Sequence, residues 1–524
     1  MTATLISSIL LLPALIFFSL RTPLFSSKNL RSVLTLFQTG LLVGVIGATL
    51  SIVHIIRIGS AEVDFFSMNQ LGFSVRIDQL SILMFLMISI IGFVVVRFSK
   101  NYLDGDVGQK QFLIKLAFTI AFVQILVLSG NIATILIAWI GTSVGLHQLL
   151  LFYPDRQKAR LAARKKFIIA RLGDLSLLSA FAFIYLQFGS GNLNDIFDSL
   201  EAYTSDTLPL NIEIAGVLLV VSACLKSVQV PFHGWLLDVM ETPTPVSALL
   251  HAGLLNAGPF LIIRFAYLID LTSIAVLTLV IVGAISALFG ALVSTTQPSI
   301  KTALAYSSVG HMGFTLMVAG LGVYSASLLH LVAHSFYKAH AFLSSGSIID
   351  KVQTKNAIQY KRLGATWRIV LGILASVFLY TITAYLWGVN QDTEFQLLII
   401  GAIIFFGVLS LQVNSIDSDN VQRSMIYTLI SSLFVINCFF GFEWVISETI
   451  GNQVPPIRTP SFNMVFISTV ILSAFGLTVV ISSSFLNFKN NSIAKRFKIH
   501  LRNGFYLNHL FNRAMNSLSI KTAK

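Results

Sequence analysis

The sequence predicts an all-α protein that crosses a membrane many times, and three observations carry that prediction. Of 524 residues, 55% are hydrophobic and 11% charged, with a mean hydropathy of +0.82, whereas a soluble chain carries about 25% charged residues. Apolar runs of roughly 20 residues, enough to cross about 30 Å of hydrocarbon, recur from end to end. The basic residues gather in alternate connections between those runs. Such a composition excludes a soluble globular domain, which needs a charged shell. It also excludes a disordered chain, which is poor in apolar residues.

The length rule gives about fifteen transmembrane helices. They lie near residues 3–23, 32–58, 79–99, 111–129, 131–153, 164–188, 211–240, 245–269, 272–294, 300–321, 324–350, 366–388, 394–413, 423–445 and 461–487. The first lacks a basic n-region and runs into Arg21 rather than a small-residue cleavage site, so it reads as a span and not a cleaved leader. After the second, residues 61–66 and 73–77 flank Asn69-Gln70-Leu71-Gly72, the pattern of a short hairpin outside the bilayer. Pro231 and Gly234 fall inside the seventh run, so that helix is expected to break there. Pro243 and Pro245 end one helix and open the eighth. No linker is long enough to hold a soluble domain.

Orientation follows from the cluster Arg156, Lys158, Arg160, Arg164, Lys165 and Lys166, which should stay cytoplasmic. Counting spans from it puts four further basic segments on the same side: Arg21/Lys28/Arg31, Arg97/Lys100/Lys110, Lys351/Lys355/Lys361/Arg362, and a tail with Lys489, Lys495, Arg496, Lys498 and Arg502. The acidic loop with Asp195, Asp198, Glu201 and Asp206 falls opposite. The N-terminus is therefore expected outside and the C-terminus in the cytoplasm. The net charge of +13 is then a topology signal, and nucleic acid is not an expected partner. In the tail, Phe497, Phe505, Tyr506, Leu507, Leu510 and Phe511 interleave with Lys498, Arg502 and Arg513. That pattern suits membrane lipid or a partner's groove, and its aromatic density favours the partner.

Chemistry narrows next. Cys224 and Cys438 both fall within spans and form no redox or metal motif. No phosphate-binding loop, flavin or haem signature is present, so no cofactor is expected and the chain is not read as an enzyme. Ionisable residues inside spans are the informative ones, because a mid-membrane charge costs about 2.5–3.5 kcal/mol or more. Lys226 stands just before the expected break, where freed carbonyls could solvate it and burial could make it a proton carrier. Asp174 and Glu241 are its candidate acid partners; a local Arg171–Asp174 pair competes for Asp174. His251 lies nearly two turns into the eighth span and reads equally well as a proton switch or a neutral interhelical bonder. His330, His334 and Lys338 recur at i, i+4, i+8, which stacks three titratable groups on one helix face. Zinc between the two histidines lacks a third ligand at suitable spacing, so a proton or cation relay is the better reading and no metal is expected. His233, His311 and His340 are further candidates.

Three ordered motifs then carry a resemblance. They are Lys226-Ser227-Val228-Gln229-Val230-Pro231-Phe232-His233-Gly234-Trp235-Leu236, Pro243-Thr244-Pro245-Val246-Ser247-Ala248-Leu249-Leu250-His251-Ala252, and Gln297-Pro298-Ser299-Ile300-Lys301-Thr302-Ala303-Leu304-Ala305-Tyr306-Ser307-Ser308. Together they resemble the antiporter-like subunits of respiratory complex I and of Mrp cation/proton antiporters, well over residues 60–350 and loosely beyond. The resemblance implies two inverted five-helix repeats with broken helices. It places Lys226 as the central lysine of the first half, and His251, Lys301, His330, His334 and Lys338 along a hydrophilic axis. It divides the chain into N-terminal helices with an external hairpin (1–110), a first repeat (111–270), a second repeat (271–415), C-terminal helices (416–488) and a basic amphipathic cytoplasmic tail (489–524).

Two departures refine it. The family places a glutamate after a tryptophan in the fifth span, whereas Trp139 is followed here by Ile140-Gly141-Thr142-Ser143. The twelfth span, from Arg368 to Trp387, carries no lysine or acid. With residues 147–156 and 336–347, these features look like the DabB branch, the membrane subunit of a two-part inorganic carbon (CO2/bicarbonate) accumulation complex. That resemblance implies an inner-membrane location and a cytoplasmic DabA-type partner similar to a zinc β-carbonic anhydrase. It implies that flow of protons, or of sodium, through this chain drives CO2 hydration in the partner. The rival readings are a proton/sodium antiporter subunit of complex I or Mrp type, and a non-transporting membrane scaffold.

Overall fold

The computed structural model describes residues 2–23, 29–346, 377–389, 394–415, 421–457, 461–484 and 492–517. The basic 351–362 loop, the first part of the twelfth span, Lys28 and Lys489 lie outside the described residues. Apolar sequence produces helices here because a backbone in lipid must satisfy its own hydrogen bonds. The first two are α1 (Ala3–Ser19) and α2 (Leu30–Ile58), whose N-caps Thr2 and Asn29 accept from Leu5 and Ser32 backbone N–H groups.

The expected hairpin forms. Strand β1 (Ala61–Met68) pairs antiparallel with β2 (Leu71–Ile77), with Ala61 opposite Ile77 and Met68 opposite Leu71. Its two-residue turn needs positive φ at both positions, and Asn69 and Gln70 adopt 51° and 63°. Glu62 on β1 accepts from Ser74 Oγ at 2.9 Å and from Asn192 Nδ2 at 2.9 Å. The hairpin is thereby tied to a later connection.

Helices α3 (Gln79–Tyr102), α4 (Gln109–Leu128), α5 (Ile132–Leu150) and α6 (Gln157–Phe188) follow, then the short α7 (Leu193–Leu200). The seventh span is broken as expected: α8 (Leu210–Lys226) stops at the lysine, and α9 (Gly234–Asp238) resumes after a non-helical connector. Buried backbone groups freed by a break must find partners. Val230 N–H donates to Ser286 Oγ at 3.1 Å, Gln229 Nε2 to the Ser227 carbonyl at 2.7 Å, and Ser227 Oγ to the Leu255 carbonyl at 2.9 Å. The eighth span is broken too, which the sequence did not announce. It runs as α10 (Thr244–Leu249), a π turn over Leu250–Leu254, α11 (Ala257–Arg264) and α12 (Ala266–Leu271).

Helices α13 (Ser273–Ser294), α14 (Ile300–Gly320) and α15 (Tyr324–Leu343) complete this part. The first two approach at glycines: a Cβ on Gly290 would lie 2.3 Å from Gly310 N, and one on Gly313 would lie 2.7 Å from Ala287 N. Beyond them come α16 (residues 377–386), α17 (Phe395–Ser415), α18 (Val421–Ile450) and α19 (Phe462–Ser484). Among the described residues, nine helices are long and apolar enough to cross a bilayer. Three that fall outside that set are informative. Helix α8 is cut short at Lys226, while α14 and α15 carry Lys301, His311, His330, His334 and Lys338.

The tail forms α20 (Ser492–Arg502) and α21 (Leu507–Ser517) and folds back onto the chain. Leu501 is buried and, with Phe497, packs on Val293, Tyr306, Leu237 and Phe289. Gln297 Nε2 donates to the Arg502 carbonyl at 3.1 Å. Phe505, Tyr506 and Leu510 remain exposed.

Candidate functional site

Lys226 ends α8, so its side chain reaches the gap where the helix stops. Its Nζ donates to the Trp139 carbonyl at 3.1 Å, Thr142 Oγ1 at 2.8 Å and Ser143 Oγ at 3.0 Å, all on α5. The same nitrogen sits 4.4 Å from the Trp139 ring centroid, within cation–π range. Three oxygens and a π face hold the ammonium, with no carboxylate among the described residues hydrogen-bonded to it. Asp174 forms an ion pair with Arg171 at 2.5 Å, one turn away on α6, and acts on Lys226 through its charge without a hydrogen bond to it. Glu241 closes a 3-10 turn after α9, and its side chain lies outside the described residues.

A cavity of about 30 Å³ adjoins Lys226, lined by Thr142, Ser143, Lys166 and Trp235 among others; that is room for a water molecule. Lys166 is the surprise in it. The sequence places this residue in the cytoplasmic basic cluster, yet it is buried and donates to the Ser143 carbonyl at 2.5 Å. Its neighbour Lys165, also buried, pairs with Asp238 on α9. The signal was faint: Lys166 precedes Asp174 by eight residues, which puts the two near one face of α6.

The histidines assemble around α14 and α15. His311 Nδ1 lies 3.1 Å from His330 Nε2, and the His311 and His334 ring centroids are 4.9 Å apart. Lys338, one turn further along α15, donates to the Leu304 carbonyl at 2.9 Å. The predicted face of His330, His334 and Lys338 thus exists, and α14 adds His311 to it. His251 rides on the π turn, fully buried, its ring stacked on Phe342 with centroids 4.3 Å apart. Among the described residues, neither its nitrogens nor those of His334 have a protein hydrogen-bond partner. Lys301 donates to Thr244 Oγ1 at 3.0 Å. His233, at the end of the non-helical connector, is buried between Phe289 and Tyr306 and apart from the histidine group. His340 is exposed and joins none of these groups.

Two polar residues that the sequence reading passed over hold the frame. Asn256 Nδ2 donates to the Ala252 carbonyl at 2.9 Å and to Ser335 Oγ at 2.7 Å, linking the broken eighth span to α15. Glu443 on α18 accepts from Ser325 Oγ at 2.6 Å. Among the described residues no group of three or more His, Cys, Asp or Glu could hold a metal ion. What the arrangement offers is a set of nitrogen bases: Lys226 at the first broken helix, His251 on the second, and His311, His330, His334 and Lys338 on α14 and α15.

Comparison with known proteins agrees with that architecture. The family described as NADH:quinone oxidoreductase/Mrp antiporter, transmembrane, matches residues 129–388, and that of the complex I chain 5 N-terminus matches residues 65–113. The "Probable inorganic carbon transporter subunit DabB2" of Halothiobacillus neapolitanus is 33% identical over 454 residues, 84% of this chain and 80% of that one. The "Probable inorganic carbon transporter subunit DabB" of Hydrogenovibrio crunogenus is 43% identical over 277 residues, 53% of each chain. A solved Mrp complex from a Dietzia species shares the fold with a TM-score of 0.62 at 20% identity, covering 98% of this chain and 59% of that one.

Proposed function

We propose, for a chain that belongs to the DabB-type family of complex I/Mrp antiporter-like membrane subunits, that it conducts protons to drive inorganic carbon uptake. In this reading the chain is a multi-pass inner-membrane coupling subunit with its N-terminus outside and its C-terminus cytoplasmic. The catalyst is a zinc carbonic-anhydrase-like partner at the cytoplasmic face, and proton flow makes its CO2 hydration one-way. The path runs through Lys226, His251, His311, His330, His334 and Lys338, with Lys301 at the cytoplasmic end. Residues 111–270 and 271–415 form the two repeats.

The observation that carries the reading is the Lys226 shell. An ammonium held by one carbonyl, two hydroxyls and an indole face keeps those contacts with no carboxylate among the described residues hydrogen-bonded to it, and the charge of Asp174 acts on it only from beyond that shell. Burial then lets it load and release a proton. A scaffold that only anchors a partner gains nothing from such a residue. The test is proton flux into vesicles carrying the full chain with its co-expressed partner. Lys226→Met should cut flux about 100-fold, the scale of losing a positioned proton carrier, with partner assembly intact. Undiminished flux in that variant would end the carrier role.

A further inference from the structure

The reading above leaves Lys166 without a task, although its burial demands one. This lysine is the tenth residue of α6, which begins at Gln157, so it lies about 14 Å along the helix from that end. By the positive-inside assignment that end is cytoplasmic. On α5, Ser143 stands seven residues before Leu150, about 10 Å from the same side. Its hydroxyl accepts from Lys226, and its carbonyl accepts from Lys166. Both amines line the cavity of about 30 Å³ between them. The two lysines therefore converge on a single residue, and the other contacts of Lys226, the Trp139 carbonyl and Thr142 Oγ1, lie farther from that side on α5.

We propose that Lys166 is the cytoplasmic outlet of the first half: the group that takes each proton from Lys226 and delivers it to the cytoplasm. This inference rests on the proton-conducting reading of Lys226. In the step, the Lys226 ammonium gives a proton through a cavity water and the Ser143 hydroxyl to the free amine of Lys166. Lys226 becomes a neutral amine, ready to be reloaded from the outer side. Lys166, now an ammonium, loses the proton to cytoplasmic water, and charge and protons balance over the cycle. The groups acting on Lys166 are Lys226 from α8, Arg171 and Asp174 from its own helix, and His147 from α5. Like charge on Lys226 opposes simultaneous protonation of both lysines, which makes transfer directional once the outlet empties. Lys165, bound to Asp238 on α9, holds α6 against the second piece of the broken helix and keeps the two amines in register.

The test measures proton flux with the full chain and its co-purifying partner in sealed vesicles, with pH set independently on each side. Lys166→Met should reduce flux roughly 100-fold, as expected for a lost proton carrier. Lys166→Arg should reduce it similarly, because a guanidinium keeps the hydrogen bond to Ser143 but does not release its proton. Lys166→His should retain measurable flux and move only the cytoplasmic-side pH profile, toward lower pH. Full flux in Lys166→Arg would overturn the proposal, since it would show that the residue only holds α5. An unshifted cytoplasmic profile in Lys166→His, at wild-type flux, would do the same. The Lys226→Met vesicles run in parallel separate the two readings. If they still conduct, the carrier assignment fails and the outlet with it; if they do not and Lys166→Arg conducts fully, only the outlet fails.

Discussion

The ion pair between Asp78 and Arg264 joins the start of α3 to the end of α11, and its partners make an asymmetric prediction. Both side chains are buried, Asp78 fully and Arg264 with 3% exposure. Arg264 donates to the carboxylate through both terminal nitrogens, at 2.5 and 3.2 Å, and to Ser81 Oγ at 2.6 Å. Asp78 has a second cation, since Arg76 Nε reaches it at 2.6 Å. Among the described residues Arg264 has no ion-pair partner besides Asp78. Removing one member of a buried pair costs about 3–5 kcal/mol when the other is left uncompensated. Asp78→Asn keeps the N-cap bond to Ser81 N–H, because asparagine caps as well as aspartate, so it isolates the orphaned arginine and should cost about that much. Arg264→Met leaves Asp78 on Arg76 and should cost distinctly less. The double variant should be more stable than Asp78→Asn alone. Reversible unfolding in mixed micelles measures all three. Equal losses in the single variants, or simple additivity, would refute the assignment. An acid titration gives a second reading. Burial alone would raise the Asp78 carboxyl, but Arg264 and Arg76 more than offset it and hold it below the usual range. The contribution is therefore present above the unfolded value of about 3.9 and lost as pH falls through the lowered folded value. Asp78→Asn should show no such loss below about pH 4.

Ser286→Ala removes the acceptor of the Val230 N–H at the helix break; an orphaned buried donor costs about 1–3 kcal/mol, and flux should fall with stability while Lys226 remains in place. Deleting residues 490–524 uncovers Leu237, Val293 and Tyr306, so the membrane part should remain folded while the co-purifying partner is lost; full retention of the partner would show that the tail serves only its own chain. Replacing sodium by choline on both sides of the vesicles should leave flux unchanged, and a proportional fall would assign the current to sodium.

The helix break was legible because Pro231 and Gly234 interrupt an apolar run, and each has a local backbone consequence. So was the face of His330, His334 and Lys338, because spacing on one helix decides it. The shell of Lys226 was not legible. Thr142 and Ser143 are common in apolar helices, and only the packing of α5 against α8 makes them ligands of an ammonium. Lys166 was hidden by a rule that works: counting basic residues gives an orientation, and a lysine ten residues into a helix is counted with the loop before it. The π turn under His251 has no local signal, since Leu250-His251-Ala252-Gly253-Leu254 would also suit an ordinary helix. The tail was read from its own composition as facing lipid or a partner. Leu501 and Phe497 instead meet the chain's own ninth and tenth spans, which no property of the tail alone could reveal.

The donor set itself argues for protons. A hard cation such as sodium needs several oxygens around one point, as the alkaline-earth ions do. The Trp139 carbonyl, Thr142 and Ser143 make a small oxygen cage, and the Lys226 ammonium already fills it as a tethered cation. A free ion entering would have to displace that charge or share the cage with it. Beyond the cage the axis is nitrogen: the imidazoles of His251, His311, His330 and His334, then the Lys338 amine. Such bases pass protons along hydrogen bonds but make a poor shell for a hard ion. The second break, at the π turn, sets His251 against α15, its ring stacked on Phe342 of the helix that carries His330, His334 and Lys338.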